Sequence, residues 1–278
     1  MSRKKSSLTA RAFALMAMIA STTAYADTNW PVEVHASYEI RFNGLKVGNF
    51  EFASTNNGQA YTMTSNGKVS VLLGAMKWTS TINTKGQIVG SDIRPQQFDF
   101  DLKGSTKGGT TKIGFTGDTV SNVEMTPPPK HKDDEIKVEP QHLKGVLDPF
   151  SAIMAMTKGG TNPCARKIPV YDGKRRLDIS MQAKGEVPLL IAKPADQPTT
   201  GVVCRVNYKL IAGHRPGDEN TYMNKNQHIE MTLRPIPSAN IYVPYQVTAS
   251  TLLGNITIFA KTVTIVTKQA NQQIVLAH

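Results

Sequence analysis

The feature that most constrains the fold of this chain is a period-two alternation of apolar and polar residues, repeated along the sequence and interrupted by turn residues. From Val34 to Phe42 every second side chain is apolar, which is typical of a half-buried β-strand. Asn43–Gly44 follows, and a second alternating segment begins near Lys46. Asn-Gly between two such segments predicts a β-hairpin.

Similar segments, rich in β-branched residues, recur on both sides of the middle of the chain. Turns are predicted at Asn56–Gly58 and at Lys85–Gly86. The pattern predicts a mainly β fold, either a curved antiparallel sheet or a β-barrel-like fold, with one short helix near the middle of the chain. The predicted strands are 34–42, 46–54, 60–69, 76–84, 88–97, 98–104, 110–115, 174–184, 202–211, 226–233, 242–250 and 254–268.

The predicted helix follows Leu147. Asp148 is placed to cap it, Pro149 fits the first helical position, and Gly159 is placed to end it. An apolar stripe at helical spacing would face the sheet, and it comprises Phe150, Ile153, Met154 and Thr157. Two interpretations stay open: the stripe fills the core of a barrel, or its methionines line an apolar ligand cavity.

The N-terminal segment, residues 1–26, has the pattern of a secretory signal peptide. Basic residues precede the apolar run 12–20, and Ala24-Tyr25-Ala26 supplies a small-x-small cleavage site. The run is shorter than the roughly 20 residues that cross a bilayer, so we expect cleavage near Ala26 and no remaining transmembrane anchor. This predicts a periplasmic protein, exported across the inner membrane.

Length and composition favour one domain over residues 27–278. The apolar content of 40% is enough for a packed core. The proline-rich segment Thr126–Lys130 could separate two domains, but we interpret it as a long loop inside a single β-barrel-like envelope domain.

The net charge narrows the classes of molecule that we expect this protein to bind. Cleavage after Ala26 removes four basic residues and no acidic ones, which lowers the net charge from +11 to +7. A basic envelope protein favours anionic partners such as lipid head groups, although the same charge also serves solubility. Nucleic acid is not expected, because the basic residues form no stripe between stacking aromatics. Protein partners are not indicated.

Two cysteines, Cys164 and Cys204, make up the whole cysteine content. An even count in an exported protein predicts a disulfide between them. A redox pair is disfavoured because no Cys-x-x-Cys spacing occurs, and a metal site lacks ligand spacing.

Three motifs resemble an uncharacterised family of exported bacterial proteins known as domain of unknown function 3108. They are the first hairpin, Tyr38–Gly48, the helix start Asp148–Ala152, and the segment Pro169–Arg176. The cysteine pair resembles the alphaproteobacterial branch of that family. The resemblance implies a curved, β-barrel-like envelope protein, related in shape to half-barrels that carry lipids or lipoproteins across the periplasm. It implies no catalytic residues.

A search for chemistry finds no catalytic or metal motif. The sequence has no Gly-x-Ser-x-Gly elbow and no His-Glu-x-x-His, so we expect neither an enzyme nor a cofactor or metal. Candidate contacts for an anionic group are Arg175, Arg176, His214 and Arg215, although glycine- and proline-bounded loops more often form solvated turns.

Two hypotheses about function remain. In the first, the concave face of the sheet binds or carries a lipid or another apolar ligand, and the run 69–76 forms a rim near its mouth. In the second, a filled barrel supports envelope integrity as a structural or interaction protein. A continuous cavity favours the first and a packed interior the second. The predicted cavity-lining residues are Phe42, Phe50, Phe52, Leu72, Met76, Trp78, Phe98, Phe150 and Met154.

Overall fold

The computed structural model describes residues 30–189, 198–218, 221, 229–268 and 273–277, the last segment by its backbone alone. The predicted signal peptide lies outside these residues. Within them the protein is mainly β, with fourteen strands in one antiparallel sheet and one α-helix. The strands are β1 Glu33–Phe42, β2 Leu45–Asn56, β3 Ala60–Val71, β4 Met76–Val89, β5 Asp92–Gly104, β6 Gly109–Thr116, β7 Thr119–Thr126, β8 Arg166–Tyr171, β9 Arg176–Pro188, β10 Thr200–Ala212, β11 Ile229–Ile236, β12 Ile241–Thr251, β13 Gly254–Val266 and β14 Gln273–Ala277, and the helix α1 is Pro149–Thr157.

The sheet is curved and open. Its strands run in the order β7-β6-β5-β4-β3-β2-β1-β13-β12-β11-β10-β9-β8, and β14 pairs with β13 outside this path. The two edge strands are joined by the segment 144–147: the Gly145 N–H donates to Asp118 O beside β7, and the Leu147 N–H donates to Pro169 O in β8. One short segment therefore hydrogen-bonds to both edges and gives the sheet a barrel-like shape.

The predicted fold class is confirmed, with corrections to individual elements. The turn predicted at Lys85–Gly86 is wrong, because β4 continues through it with a register shift. A Cβ on Gly86 would lie 2.4 Å from the Tyr61 hydroxyl and from Arg94 O. Close packing therefore requires glycine at this position, and a turn does not. Strands β7, β8 and β14 were not predicted.

The antiparallel order defines two ends of the sheet. The upper end carries the turns that join β1 to β2, β3 to β4, β5 to β6 and β12 to β13. The lower end carries the turns β2–β3, β4–β5, β6–β7 and β11–β12, together with Trp30 just before β1. The helix α1 reaches the lower end, where the Lys158 Nζ that follows it donates to Ser91 O at 3.0 Å.

The disulfide predicted between Cys164 and Cys204 is present, with the two Cα atoms 5.4 Å apart. It ties the segment that follows α1 to β10. Both cysteines are fully buried among Met181, Met231 and Leu233. The bond thus fixes the end of the helical segment against the wall of the sheet.

Candidate ligand cavity

The concave face of the sheet encloses an apolar cavity of about 520 Å³. Strands β1 to β5 line one side of it and β10 to β13 the other, while α1 contributes Phe150, Ile153 and Met154. Packed protein interiors contain few voids larger than a water molecule, and ligand pockets are typically about 300–1,000 Å³. The cavity therefore falls in the size range of a ligand site.

The chemistry of the cavity wall is almost entirely apolar and aromatic. None of the described lining residues is Asp, Glu, Lys, Arg, His or Cys. The lining tyrosines include Tyr61, which hydrogen-bonds to Ser151, and Tyr242, which donates to Gly160 O. Tyr38 stacks on Phe50 with ring centroids 4.7 Å apart, and burial raises its pKa. Such a wall suits hydrocarbon better than a charged ligand.

The cavity is lined by more buried residues at its lower end than at its upper end. At the lower end several lining residues are buried, including Trp30, Tyr61 and Phe150, whereas Tyr242 is half-buried. Near the upper end the lining residues Val69 and Trp78 are only half-buried. Solvent therefore reaches the cavity from the upper end, where a ligand would enter.

Five of the nine predicted cavity residues line the cavity: Phe50, Phe52, Trp78, Phe150 and Met154. The other four do not. Phe98 is buried in the core, in the strand against which α1 packs. Phe42 and Met76 are half-buried at strand ends, and Leu72 projects from the turn between β3 and β4.

Residues of the second half of the chain were missed as cavity lining. Val206, Met231, Val247, Ile258 and Val263 all face the cavity. Alternation in β10 and β11 could have identified Val206 and Met231, but Ile258 and Val263 are five residues apart and share a face only because of a register shift in β13. Alternation along a strand does not show which strand faces meet across the curved sheet.

A buried polar cluster closes the lower end beneath the cavity. Asp148 caps α1: its Oδ1 accepts the N–H groups of Phe150 at 2.9 Å and Ser151 at 3.0 Å. Its Oδ2 accepts the Ser151 hydroxyl at 2.5 Å, and the Thr84 hydroxyl lies 3.3 Å away. Since Ser151 gives its proton to Asp148, its Oγ accepts from the Tyr61 hydroxyl at 2.7 Å. Burial raises the pKa of Asp148, and these hydrogen bonds oppose the shift. The cluster fastens the helix to β3 and β4.

The four predicted anion contacts are not brought together in the cavity. Arg215 makes a two-pronged ion pair with Asp134, with Nε 2.9 Å from Oδ1 and Nη2 2.6 Å from Oδ2. This contact holds the pKa of Asp134 below its ordinary value. Arg176 pairs with Asp178 at 2.7 Å.

The remaining two contacts are also placed outside the cavity. His214 is buried, with Nδ1 3.0 Å from Arg215 O, and its backbone pairs with Ile136. Arg175 is exposed in the turn between β8 and β9. The Arg215–Asp134 pair and the His214–Ile136 backbone pairing hold loops in place, whereas Arg176 and Asp178 pair within β9. The cavity lining includes none of the four residues.

An unexpected feature is Arg234 in β11. Its side chain is fully buried, and none of its three guanidinium nitrogens meets a hydrogen-bond partner in the part of the chain that is described. It lies directly opposite Val243, a cavity-lining residue. Burial lowers the pKa of this guanidinium. A buried cation without a partner costs stability.

No cluster of three or more metal-ligating side chains is found among the described residues. Among the same residues, no helix has the length and apolar character needed to cross a bilayer.

The fold and the site together define a curved antiparallel β-sheet protein that encloses an apolar cavity. The chain belongs to the family described as Protein of unknown function (DUF3108), whose model matches residues 37–261. A comparison with curated proteins finds no match. Among solved structures, the chain is similar to the crystal structure of a beta-barrel-like protein of domain of unknown function DUF1849 from Brucella abortus, with 12% identity and a TM-score of 0.46, covering 85% of this chain and 98% of that one.

Proposed function

We propose that this protein binds or carries a lipid, or a similarly apolar molecule, in the cavity of its curved sheet. The observation that carries the proposal is the continuous apolar cavity of about 520 Å³. A wall without charged side chains gains free energy by enclosing hydrocarbon, at roughly 25 cal/mol per Å² of apolar surface removed from water. The alternative, a structural or interaction protein with a filled barrel, does not account for that volume.

The proposal assigns no chemical step to the protein. The cavity lining supplies hydroxyl groups but no carboxylate, imidazole, amine or thiol that would act as an acid, base or nucleophile. The proposed place of action is the periplasm, on the grounds of the signal-peptide pattern in residues 1–26.

The test is native mass spectrometry of protein recovered gently from the periplasm, with organic extraction of any added mass. We expect a lipid-sized ligand bound one to one. Clean ligand-free mass, together with failure to bind added phospholipid or fatty acid, would overturn the proposal and favour the structural role. Intact mass also shows whether residues 1–26 have been removed.

A matched pair of variants locates the ligand. Ile40→Trp places a large ring in the cavity wall, whereas Thr64→Trp places the same ring on the exposed face of β3. We expect Ile40→Trp to lose most of the bound lipid and Thr64→Trp to retain it. Equal retention by both variants would show that lipid binds elsewhere.

A further inference from the structure

The upper end of the sheet exposes an unusual number of leucines. Of the eight large apolar residues exposed in the described part of the chain, five lie at turns of this end: Leu45, Leu72, Leu73, Leu252 and Leu253. Each is at least 70% exposed. Isolated exposed apolar residues are ordinary, but five leucines at one end of a sheet form a patch that suggests an interaction surface. We call these five residues the leucine tips.

The leucine tips belong to three successive hairpins. The sheet order β4-β3-β2-β1-β13-β12 sets the turns β3–β4, β1–β2 and β12–β13 side by side. Asn43 joins two of them, because its Oδ1 accepts the Asn255 N–H at 2.8 Å and its Nδ2 lies 3.5 Å from Leu253 O. The tips therefore project from one end of the molecule in a row.

The turn between β3 and β4 holds two leucines in an unfavourable backbone conformation. Leu72 and Leu73 have φ angles of 52 and 53, in the left-handed region that favours glycine or asparagine. Neither side chain is buried. Neither backbone conformation nor core packing accounts for leucine at these positions, so the side chains are explained best by something that they contact outside the chain.

The charge around the tips is net positive. The segments 41–46, 68–77, 103–108 and 251–255 form the upper turns and contain six lysines and arginines but no Asp or Glu. Arg41 and Lys46 pair with Glu39, and Lys103 with Asp101. Lys68, Lys77 and Lys107 are exposed. Apolar tips beside exposed lysines match an anionic bilayer, in which acyl chains lie beneath phosphate groups.

We propose that the upper end docks on the surface of an anionic phospholipid bilayer, with the leucine tips in the interfacial region and the surrounding lysines against lipid phosphates. The half-buried cavity residues Val69 and Trp78 lie a few residues from Leu72. Docking in this orientation points the mouth of the cavity at the membrane. This last step rests on the proposed lipid binding, whereas docking itself does not.

The experiment is vesicle flotation with protein recovered from the periplasm. Vesicles of phosphatidylcholine alone are compared with vesicles that also contain phosphatidylglycerol. We expect binding to the anionic vesicles that weakens at high salt. Leu72→Ser/Leu73→Ser and Leu252→Ser/Leu253→Ser should each weaken it at least about tenfold. Lys68→Gln/Lys77→Gln should weaken it about tenfold on anionic vesicles only. The control Val89→Ser, an exposed apolar residue at the lower end, should bind like wild type.

The outcomes separate docking from lipid carriage. If Ile40→Trp floats normally but carries no lipid, both proposals are supported. If wild type carries lipid but does not float, docking is overturned while the cavity function stands. If the leucine variants instead abolish a concentration-dependent dimer seen by sedimentation, the tips contact a second copy of the chain and the membrane proposal is wrong.

Discussion

The two ends of the sheet are built on opposite principles. At the lower end, α1 packs against the sheet, and buried polar groups around Asp148 are hydrogen-bonded. At the upper end no α-helix is described, and leucines and lysines are exposed. Packing at the lower end holds the sheet in shape, whereas the upper end leaves the cavity accessible. The contrast predicts that substitutions at the lower end affect stability, whereas substitutions at the upper end affect the membrane binding that we propose.

The largest expected effect concerns the disulfide. Replacing Cys164 by Ser opens a covalent loop with a sequence separation of 40, which the chain-entropy account values at about 4 kcal/mol. We expect a matching loss in the free energy of unfolding under oxidising conditions, with the β-type circular dichroism spectrum retained. Denaturant titration measures it. If wild type and variant unfold at the same denaturant concentration under oxidising conditions, the bond does not stabilise the lower half.

The cap of α1 comes next. Asp148→Ala removes the cap and leaves the buried Ser151 and Tyr61 hydroxyls with fewer partners, for an expected loss of about 2–4 kcal/mol. Asp148→Asn keeps a capping oxygen and should lose less. Thermal unfolding of both variants checks the order, and an equal loss would show that a capping amide oxygen does not replace the carboxylate.

Replacing Arg234 is expected to increase the stability of the protein. Arg234→Met replaces a buried guanidinium, unpaired within the described residues, by an apolar side chain, and should stabilise the protein by about 1 kcal/mol or more. The control Arg205→Met changes an exposed arginine of β10 and should have little effect. Destabilisation by Arg234→Met in chemical denaturation would indicate that the guanidinium has a stabilising partner.

The pH dependence of the lower end follows from Asp148. Burial raises its pKa above the ordinary 3.8, so the folded state binds a proton more tightly than the unfolded state. This contribution is present below 3.8 and is lost as the pH rises through the folded-state pKa. The melting temperature of wild type minus that of Asp148→Asn should therefore fall as the pH rises above 3.8. A difference that rises instead would contradict the assigned direction.

The smallest effect on stability is expected for substitutions at the upper end of the sheet. Leu72→Ser/Leu73→Ser should change the free energy of unfolding by no more than about 0.5 kcal/mol, because both side chains are already exposed. Chemical denaturation without vesicles or lipid measures this. A large loss would mean that the leucine tips support the fold, and the division between the two ends would not hold.

Much of the fold was predictable where neighbouring residues decide it. Alternation located most strands, Asn43–Gly44 located the first turn, and Asp148–Pro149 located the start of α1. The turn at Lys85–Gly86 was predicted wrongly, because a glycine required by a close contact with Tyr61 resembles one required by a turn. The cavity residues were predicted in part. The inward face of a strand follows from neighbouring residues, whereas the position of a cavity depends on how distant strands are arranged.

The sequence by itself determined most of the strands, the helix cap and the pairing of the only two cysteines, because backbone preference, side-chain alternation and cysteine count are properties of short segments or of composition. Only the tertiary structure decided that β1 to β5 and β10 to β13 face each other across a void, that Arg234 is buried, and that leucines from three distant turns share one end. These features depend on sheet order and curvature, which arise from contacts between residues far apart in the chain.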